Sequence, residues 1–192
     1  MKTPLTVAAL AIAGLAITAP LAAQGDMGCP HRRVAVEGRR SPLDSATIQL
    51  GSQRIKVCYG RPSARGRTMI GGDNVPFGQL WRTGANEPTV IYTTAATTIA
   101  GIGVPAGIHA LYTVPGETEW IIIVNRAVDQ WGHEGSYTEE IIAQEIARAQ
   151  VPSTANSEYV ETFTIELEPT ETGADIVLMW ERTRVAIPVV QR

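Results

Sequence analysis

The chain is poor in the residues that most often build metal and nucleophilic sites. Its 192 residues include only three histidines and two cysteines. No two histidines stand at a spacing typical of metal ligands, and neither a glycine-flanked nucleophilic serine nor a phosphate-binding glycine-lysine loop occurs. The sequence therefore favours no metal enzyme and no serine hydrolase, and we expect no metal and no cofactor.

Long apolar runs are also scarce, because only one is present and it stands at the start of the chain. It extends from Leu5 to Ile17, follows Lys2 and is succeeded by small residues. This pattern is typical of a secretory signal peptide, and the run is shorter than the ~20 residues that span a bilayer. We expect a signal peptide over residues 1–23 and a periplasmic or secreted protein. A lipid anchor on Cys29 is the weaker alternative, because polar residues separate it from the run.

The net charge is small but its distribution is uneven. The chain carries a formal charge of −3, which argues against nucleic acid as a partner. The basic residues of one stretch face a single acid, Asp73; they are Arg54, Lys56, Arg61, Arg65, Arg67 and Arg82. Six acids between Glu158 and Asp175 face no base in their own segment. The two stretches either pair on the surface, at ~0.2–1 kcal/mol per pair, or leave a patch that attracts anions.

Two cysteines in an exported chain favour a disulfide. In the sequence RIKVCYG, the alternation places Cys58 on the face opposite Ile55 and Val57. An N-terminal arm over residues 24–42, which has no sustained period, could bring Cys29 to that face. We expect this disulfide, with two free thiols as the alternative, because only geometry decides between them.

The rest of the chain reads mostly as short strands. ATIQL and RIKVCY form a predicted hairpin around residues 51–53. Seven further strands follow between turn signals: TVIYT, TTIAGI, HALYTV, EWIIIVN, ETFTIEL, DIVLMWE and VAIPVV. Short strands without βαβ alternation are typical of an antiparallel β-sandwich or barrel. We predict an all-β, jelly-roll or immunoglobulin-like sandwich over residues 43–192, with at most one short helix.

Three segments support more specific predictions. The run Trp120 to Val124 is apolar on both faces and should form a central, buried strand. Pro188 lacks a ladder donor, which predicts an edge position for the last strand. Residues 138–151 carry both helical and strand periodicity, and we predict a helical turn near 138–143 followed by a strand.

The loop YGRPSARGRTMIGGDNVP brings three arginines among glycines and a proline. Guanidinium groups and free backbone N–H groups of Arg61, Arg65 and Arg67 could bind a carboxylate or phosphate. The same arginines could equally lock the loop onto carboxylates of their own domain, which we favour because a long ordered loop needs internal ties.

The stretch LWRTGANEPT is open to the same two interpretations. Trp81 can anchor the segment in the core while Arg82 and Glu87 satisfy each other or close neighbours. Alternatively, Trp81 is an exposed sugar-stacking platform, with Arg82, Asn86 and Glu87 as hydroxyl partners. Residue type alone does not decide, because both versions need the same side chains.

Several of these motifs together resemble a known family. YGRPSARGR, VPFGQLWRTGANE, TTIAG, VPAGIHALYTVPG, EWIIIVN and QWG occur in the order found in the bacterial exported family called domain of unknown function 2911. The resemblance extends from about residue 41 to the C-terminus. It implies one β-rich domain, typically behind a signal peptide, without an assigned activity, so it supplies no catalytic residue. It also favours strand over helix near residues 138–151.

The family pattern sorts the candidate residues. Motif positions match at Arg61, Pro62, Gly66, Arg67, Trp81, Arg82, Thr83, Gly84, Asn86 and Glu87. Asp73 and Asn74 are extra residues where the family is usually shorter. His109, His133 and both cysteines fall outside the pattern, which weakens a histidine-based mechanism.

We therefore expect a non-catalytic domain that binds a glycan or a small anion, or that contacts a partner in the cell envelope. The candidate ligand-binding or structural residues are Arg61, Arg65, Arg67, Trp81, Arg82, Asn86 and Glu87. The alternative is a hydrolase-like enzyme in which a carboxylate, Glu87 or Glu134, acts beside a histidine.

Overall fold

The computed structural model describes residues 28–29 and 37–192, so the predicted signal peptide lies outside the described residues. After an irregular segment, nine strands follow: β1 Leu43–Leu50, β2 Gln53–Gly60, β3 Thr89–Thr93, β4 Thr97–Ile99, β5 Ile102–Val104, β6 Gly107–Val114, β7 Glu119–Asn125, β8 Glu145–Pro169 and β9 Gly173–Gln191. A 3-10 turn (Glu134–Ser136) and the short helix α1 (Glu139–Ile142) lie between β7 and β8.

The strands form one antiparallel sheet in the order β1-β2-β3-β6-β7-β8-β9-β4-β5. Most of this order is a meander, in which strands that follow one another along the chain lie side by side. The exception is the β4-β5 hairpin, which leaves the meander after β3 and adds to the far side of β9. The all-β, antiparallel prediction is confirmed.

The two longest strands fold this sheet over on itself. β8 pairs with β7 up to Pro152 and then with β9, and its pairing with β9 shifts register between Ala155 and Thr164. β9 bends where Glu181 adopts a φ of 52°. As a result β2 faces the far half of β8, and the Tyr59 hydroxyl accepts a hydrogen bond of 2.9 Å from the Ile165 amide. The layers predicted for a sandwich are thus joined through β8 and β9.

One hydrophobic core lies between these layers. It combines inward residues of β2, β3, β7, β8 and β9 with four packed aromatic rings, Trp81, Trp120, Phe163 and Trp180. Full burial of each large apolar side chain contributes about 1.5–3 kcal/mol. A smaller cluster on the outer face of β6 and β7 includes Tyr112, whose ring meets Tyr137 at 4.6 Å.

Most of the strand predictions are confirmed. β1 and β2 pair as the predicted hairpin, β7 lies inside the sheet with Ile122 to Val124 fully buried, and a helical turn precedes β8. The segment TTIAGI forms two strands, β4 and β5, around a turn in which Ala100 has a φ of 50°. Within the described residues, no helix has the length and apolar character needed to cross a membrane.

The edge position predicted from Pro188 is wrong. β9 lies between β8 and β4. The proline is tolerated because the pairing of β8 with β9 ends at Val185. At Pro188 no hydrogen bond to β8 therefore requires a backbone N–H, which proline lacks. Its carbonyl accepts a hydrogen bond of 2.8 Å from the Ala100 amide.

Candidate functional site

The motif Leu80–Thr89 forms a tight loop that is attached to β6. Trp81 and Thr113 exchange backbone hydrogen bonds of 2.8 and 2.9 Å, and the Thr89 amide closes the loop on the Arg82 carbonyl at 3.1 Å. Thr83 and Asn86 adopt φ values of 56° and 68°. Such conformations are unusual outside glycine, so the loop has a defined shape that its hydrogen bonds maintain.

Trp81 anchors this loop in the core. Its side chain is 4% exposed, its ring stacks on Trp180 at 5.9 Å, and its indole N–H donates to the Gly84 carbonyl at 3.1 Å. An exposed sugar-stacking platform at Trp81 is therefore not present, and the anchoring interpretation describes the residue.

Glu87 takes a partner that the sequence analysis did not name. Both carboxylate oxygens accept hydrogen bonds from the Arg39 guanidinium, at 2.8 and 3.0 Å. The two side chains are only 6% and 1% exposed. Arg82 donates to the Asn86 carbonyl at 3.3 Å, a close neighbour within the loop. Glu87 is thus a buried structural carboxylate.

The N-terminal segment reaches the candidate residues at several points. Besides the contact of Arg39, two backbone carbonyls of this segment accept hydrogen bonds. The Ser41 carbonyl accepts one from the Asn86 side-chain amide at 3.3 Å, and the Arg40 carbonyl accepts one from the Arg65 guanidinium at 2.9 Å. The structure also contains the disulfide between Cys29 and Cys58, with a Cα–Cα distance of 5.7 Å. Cys58 lies on the face of β2 opposite the core residues Ile55 and Val57.

The three loop arginines have different surroundings. Arg61 forms a salt bridge with Asp44 at 3.1 Å and also donates to the Phe163 carbonyl and the Thr164 hydroxyl. Arg67 is exposed, and its Nε and one terminal nitrogen donate to the carbonyls of Ala64 and Ser63. Arg61 therefore ties the loop to β8, whereas Arg67 projects from it.

Carboxylates of the domain hold the arginine loop through its backbone as well as through the Arg61–Asp44 salt bridge. Glu161 accepts from the Arg65 amide at 2.6 Å. Glu181 accepts from the amides of Met69 and Ile70, the latter at 2.8 Å. Hydrogen bonds to a charged acceptor contribute about 1.5–3 kcal/mol, so the loop is held in place at its centre.

Two neighbouring hollows open between this loop and the motif. The first, which we call the arginine hollow, has about 630 Å³ of open space, and its lining includes Arg67, Asn74, Trp81, Arg82, Asn86 and Trp180. None of its lining residues is acidic. Two guanidinium groups and two side-chain amides therefore line this hollow. Arg61, Arg65 and Glu87 do not line it.

The second, which we call the polar hollow, adjoins the first. It has about 710 Å³ of open space and shares Asn74, Val75, Trp81 and Arg82 with the first. Its lining adds Asp73, Gln79 and His133. The His133 Nδ1 accepts from the Gly135 amide at 3.0 Å.

The predicted carboxylate-histidine pair is not formed through Glu87, because Arg39 occupies that carboxylate. His109 is buried on β6 opposite Ile91, and burial, together with the nearby charge of Arg126, lowers the pKa of its imidazole. The side chain of Glu134 lies outside the described residues, so its pairing stays a prediction. In the described part of the chain, no three histidine, cysteine or acidic residues are grouped to hold a metal ion.

Sequence reasoning missed the residues that complete the site. Asn74 lines both hollows, and Gln79 lines the polar hollow, yet each is a single amide in a loop and carries no pattern. Glu181 lies far along the chain, so its role depends on the bend of β9. One feature of the sequence did distinguish Asn74: with Asp73 it forms a pair of residues that stands where the family is usually shorter.

Neither the comparison with curated proteins nor the comparison with solved structures found a match. The comparison with protein families found one, described as protein of unknown function (DUF2911), over residues 41–189. This range contains the whole arginine loop, the motif loop and all nine strands up to Val189. The chain therefore belongs to the family of proteins of unknown function DUF2911.

Proposed function

We propose that this protein is an exported, non-catalytic domain that binds a small anionic or glycan ligand in the arginine hollow. The observation that carries the proposal is the composition of this hollow. Two arginines and two amides line it, and none of its lining residues is acidic. Guanidinium groups bind carboxylate and phosphate with planar pairs of hydrogen bonds.

Arg67 is the residue best placed to contact such a ligand. Its guanidinium uses Nε and one terminal nitrogen on backbone carbonyls. Within the described residues, its other terminal nitrogen makes no hydrogen bond. The two carbonyl contacts fix the plane of the group, so little side-chain entropy is lost when a ligand binds.

The experiment compares two neighbouring arginines. Isothermal titration calorimetry with succinate, phosphate and glucuronate at constant ionic strength should detect binding to the wild-type chain. Arg67→Gln should weaken it about tenfold, since one charge-assisted hydrogen bond is lost. Arg65→Gln, an equally exposed change outside the hollow, is the control. Absence of binding by all three anions, or equal loss in both variants, would contradict the proposal.

Export to the periplasm or the medium is part of the same proposal. The apolar run after Lys2 and the Cys29–Cys58 disulfide support it, since disulfides persist in oxidising compartments. Mass measurement of the protein from a bacterial periplasmic extract should show an N-terminus at Gln24. Recovery of the intact chain from the cytoplasm would contradict it.

A further inference from the structure

The arginine hollow and the polar hollow are parts of one groove. They share four lining residues, which are Asn74, Val75, Trp81 and Arg82. A single small anion needs only the arginine hollow. The groove as a whole is therefore larger than the ligand class proposed above requires, and an extended ligand would use both parts.

The backbone of the segment that contains Asn74 and Val75 is held in place by hydrogen bonds. The Gly71 amide donates to the Val75 carbonyl at 2.9 Å, and the Gly72 amide donates to the Met69 carbonyl at 3.2 Å. Val75 is buried beneath this turn, and Glu181 holds its base at Met69 and Ile70. The backbone of Asn74 is consequently held beside both hollows, and its side chain is exposed.

The two parts differ in chemistry. The arginine hollow has cationic donors and no acidic lining residue. The polar hollow places a carboxylate, two amides and an imidazole around it, from Asp73, Asn74, Gln79 and His133. The first three of these side chains are exposed and make no hydrogen bond to any other described residue. Such a mixture of donors and acceptors suits hydroxyl groups, whereas Asp73 repels a second anionic group.

We propose that the groove binds an acidic oligosaccharide, with a uronate carboxylate between Arg67 and Arg82 and the adjoining neutral sugar at Asp73, Asn74 and Gln79. This inference rests on the proposed anion-binding function of the arginine hollow. It adds that the sugar beside the uronate is neutral, because the Asp73 carboxylate lines the polar hollow.

The test compares four probes by isothermal titration with the full mature chain. They are glucuronate, a hyaluronan tetrasaccharide in which glucuronate alternates with N-acetylglucosamine, trigalacturonate, and neutral chitobiose. The hyaluronan tetrasaccharide should bind about tenfold more tightly than glucuronate, since the polar hollow adds hydrogen bonds. Trigalacturonate should bind more weakly than the tetrasaccharide, and chitobiose most weakly of all.

Two variants locate the second part of the groove. Asn74→Ala and Gln79→Ala change exposed loop residues and should reduce tetrasaccharide affinity to the glucuronate level. Glucuronate binding itself should not change in Gln79→Ala, because Gln79 lines only the polar hollow. Arg67→Gln should weaken both ligands.

The outcomes separate this inference from the function on which it rests. Equal affinity for glucuronate and the tetrasaccharide would overturn the inference and leave the anion site intact. Tighter binding of trigalacturonate would overturn the assignment of a neutral sugar to the polar hollow. Absence of binding by every acidic probe would overturn both proposals.

Discussion

Glu87 is a buried carboxylate whose partner comes from a distant segment of the chain. The bidentate contact with Arg39 removes two charges from water, and such a pair is stable only while both members are present. The motif loop therefore depends on the N-terminal segment through this pair, even though the two are 48 residues apart.

Removal of one member should be costly. Glu87→Ala leaves the Arg39 charge buried, so we expect the free energy of unfolding to fall by about 3–5 kcal/mol. Glu168→Ala, which breaks the exposed pair with Arg184, should cost less than about 1 kcal/mol. Urea titrations of both variants measure the two losses. A double change, Arg39→Met with Glu87→Leu, should recover part of the stability. Similar losses of stability in Glu87→Ala and Glu168→Ala would contradict a buried role for Glu87.

His109 makes the stability depend on pH. Burial, then Arg126, lowers its pKa in the folded chain below the ordinary 6.5, so the unfolded chain takes up the proton first. Its contribution to stability is complete above pH 6.5 and is lost as the pH falls from there toward the folded pKa, by at most about 1.4 kcal/mol per pH unit.

The measurement is a set of urea titrations between pH 7.5 and 5. His109→Gln should flatten the fall of the unfolding free energy over this range, while His133→Gln, a change of an exposed imidazole, serves as the control. An unchanged slope in His109→Gln would show that other groups carry the pH dependence.

At the scale of elements, the arginine loop is ordered by the strand bend opposite it. Glu181 lies at the bend of β9 with a φ of 52°. Its carboxylate accepts hydrogen bonds from the backbone amides of Met69 and Ile70. The curvature of the sheet and the shape of the groove are thus linked by one carboxylate.

Glu181→Ala should loosen the loop without removing any residue that lines the groove. We expect the amides of Met69 and Ile70 to exchange hydrogen at least about tenfold faster, since each loses a hydrogen bond to a charged acceptor. Anion binding in the arginine hollow should weaken as well. Glu166→Ala, an exposed change on β8, is the control, and unchanged exchange at both amides would contradict the link.

At the scale of the whole molecule, the arm and the folded sheet form one unit. The Cys29–Cys58 disulfide closes a loop of sequence separation 29 and attaches the arm to β2. Arg39 and Ser41 then attach it to the motif loop. The arm therefore contributes to the stability of the domain although it contains no strand between residues 37 and 42.

Replacement of both cysteines, Cys29→Ser with Cys58→Ser, should lower the free energy of unfolding by about 3–4 kcal/mol, because the open chain gains entropy when unfolded. Guanidinium titrations of the wild type with and without a reductant, beside the double variant, give this value. A reductant should have no effect on the variant. Equal midpoints for oxidised and reduced wild type would contradict the expectation.

Local sequence patterns were sufficient to predict the all-β class, the β1-β2 hairpin, the buried β7 and the helical turn before β8. These features follow from local alternation, turn residues and runs of apolar side chains, which act between residues close in the chain. The same local signals failed at Pro188, because the pairing of β9 with β4 joins segments about 90 residues apart.

Whether the motif side chains are exposed or buried depends on the tertiary structure. Trp81, Arg82 and Glu87 were compatible with an exposed site and with a buried anchor, because both need the same side-chain types. The choice came from contacts over long sequence distances: Arg39 on Glu87, Trp180 on Trp81, and Glu181 beneath the arginine loop. Such contacts depend on how the sheet folds over at β8 and β9, and no local pattern encodes that packing.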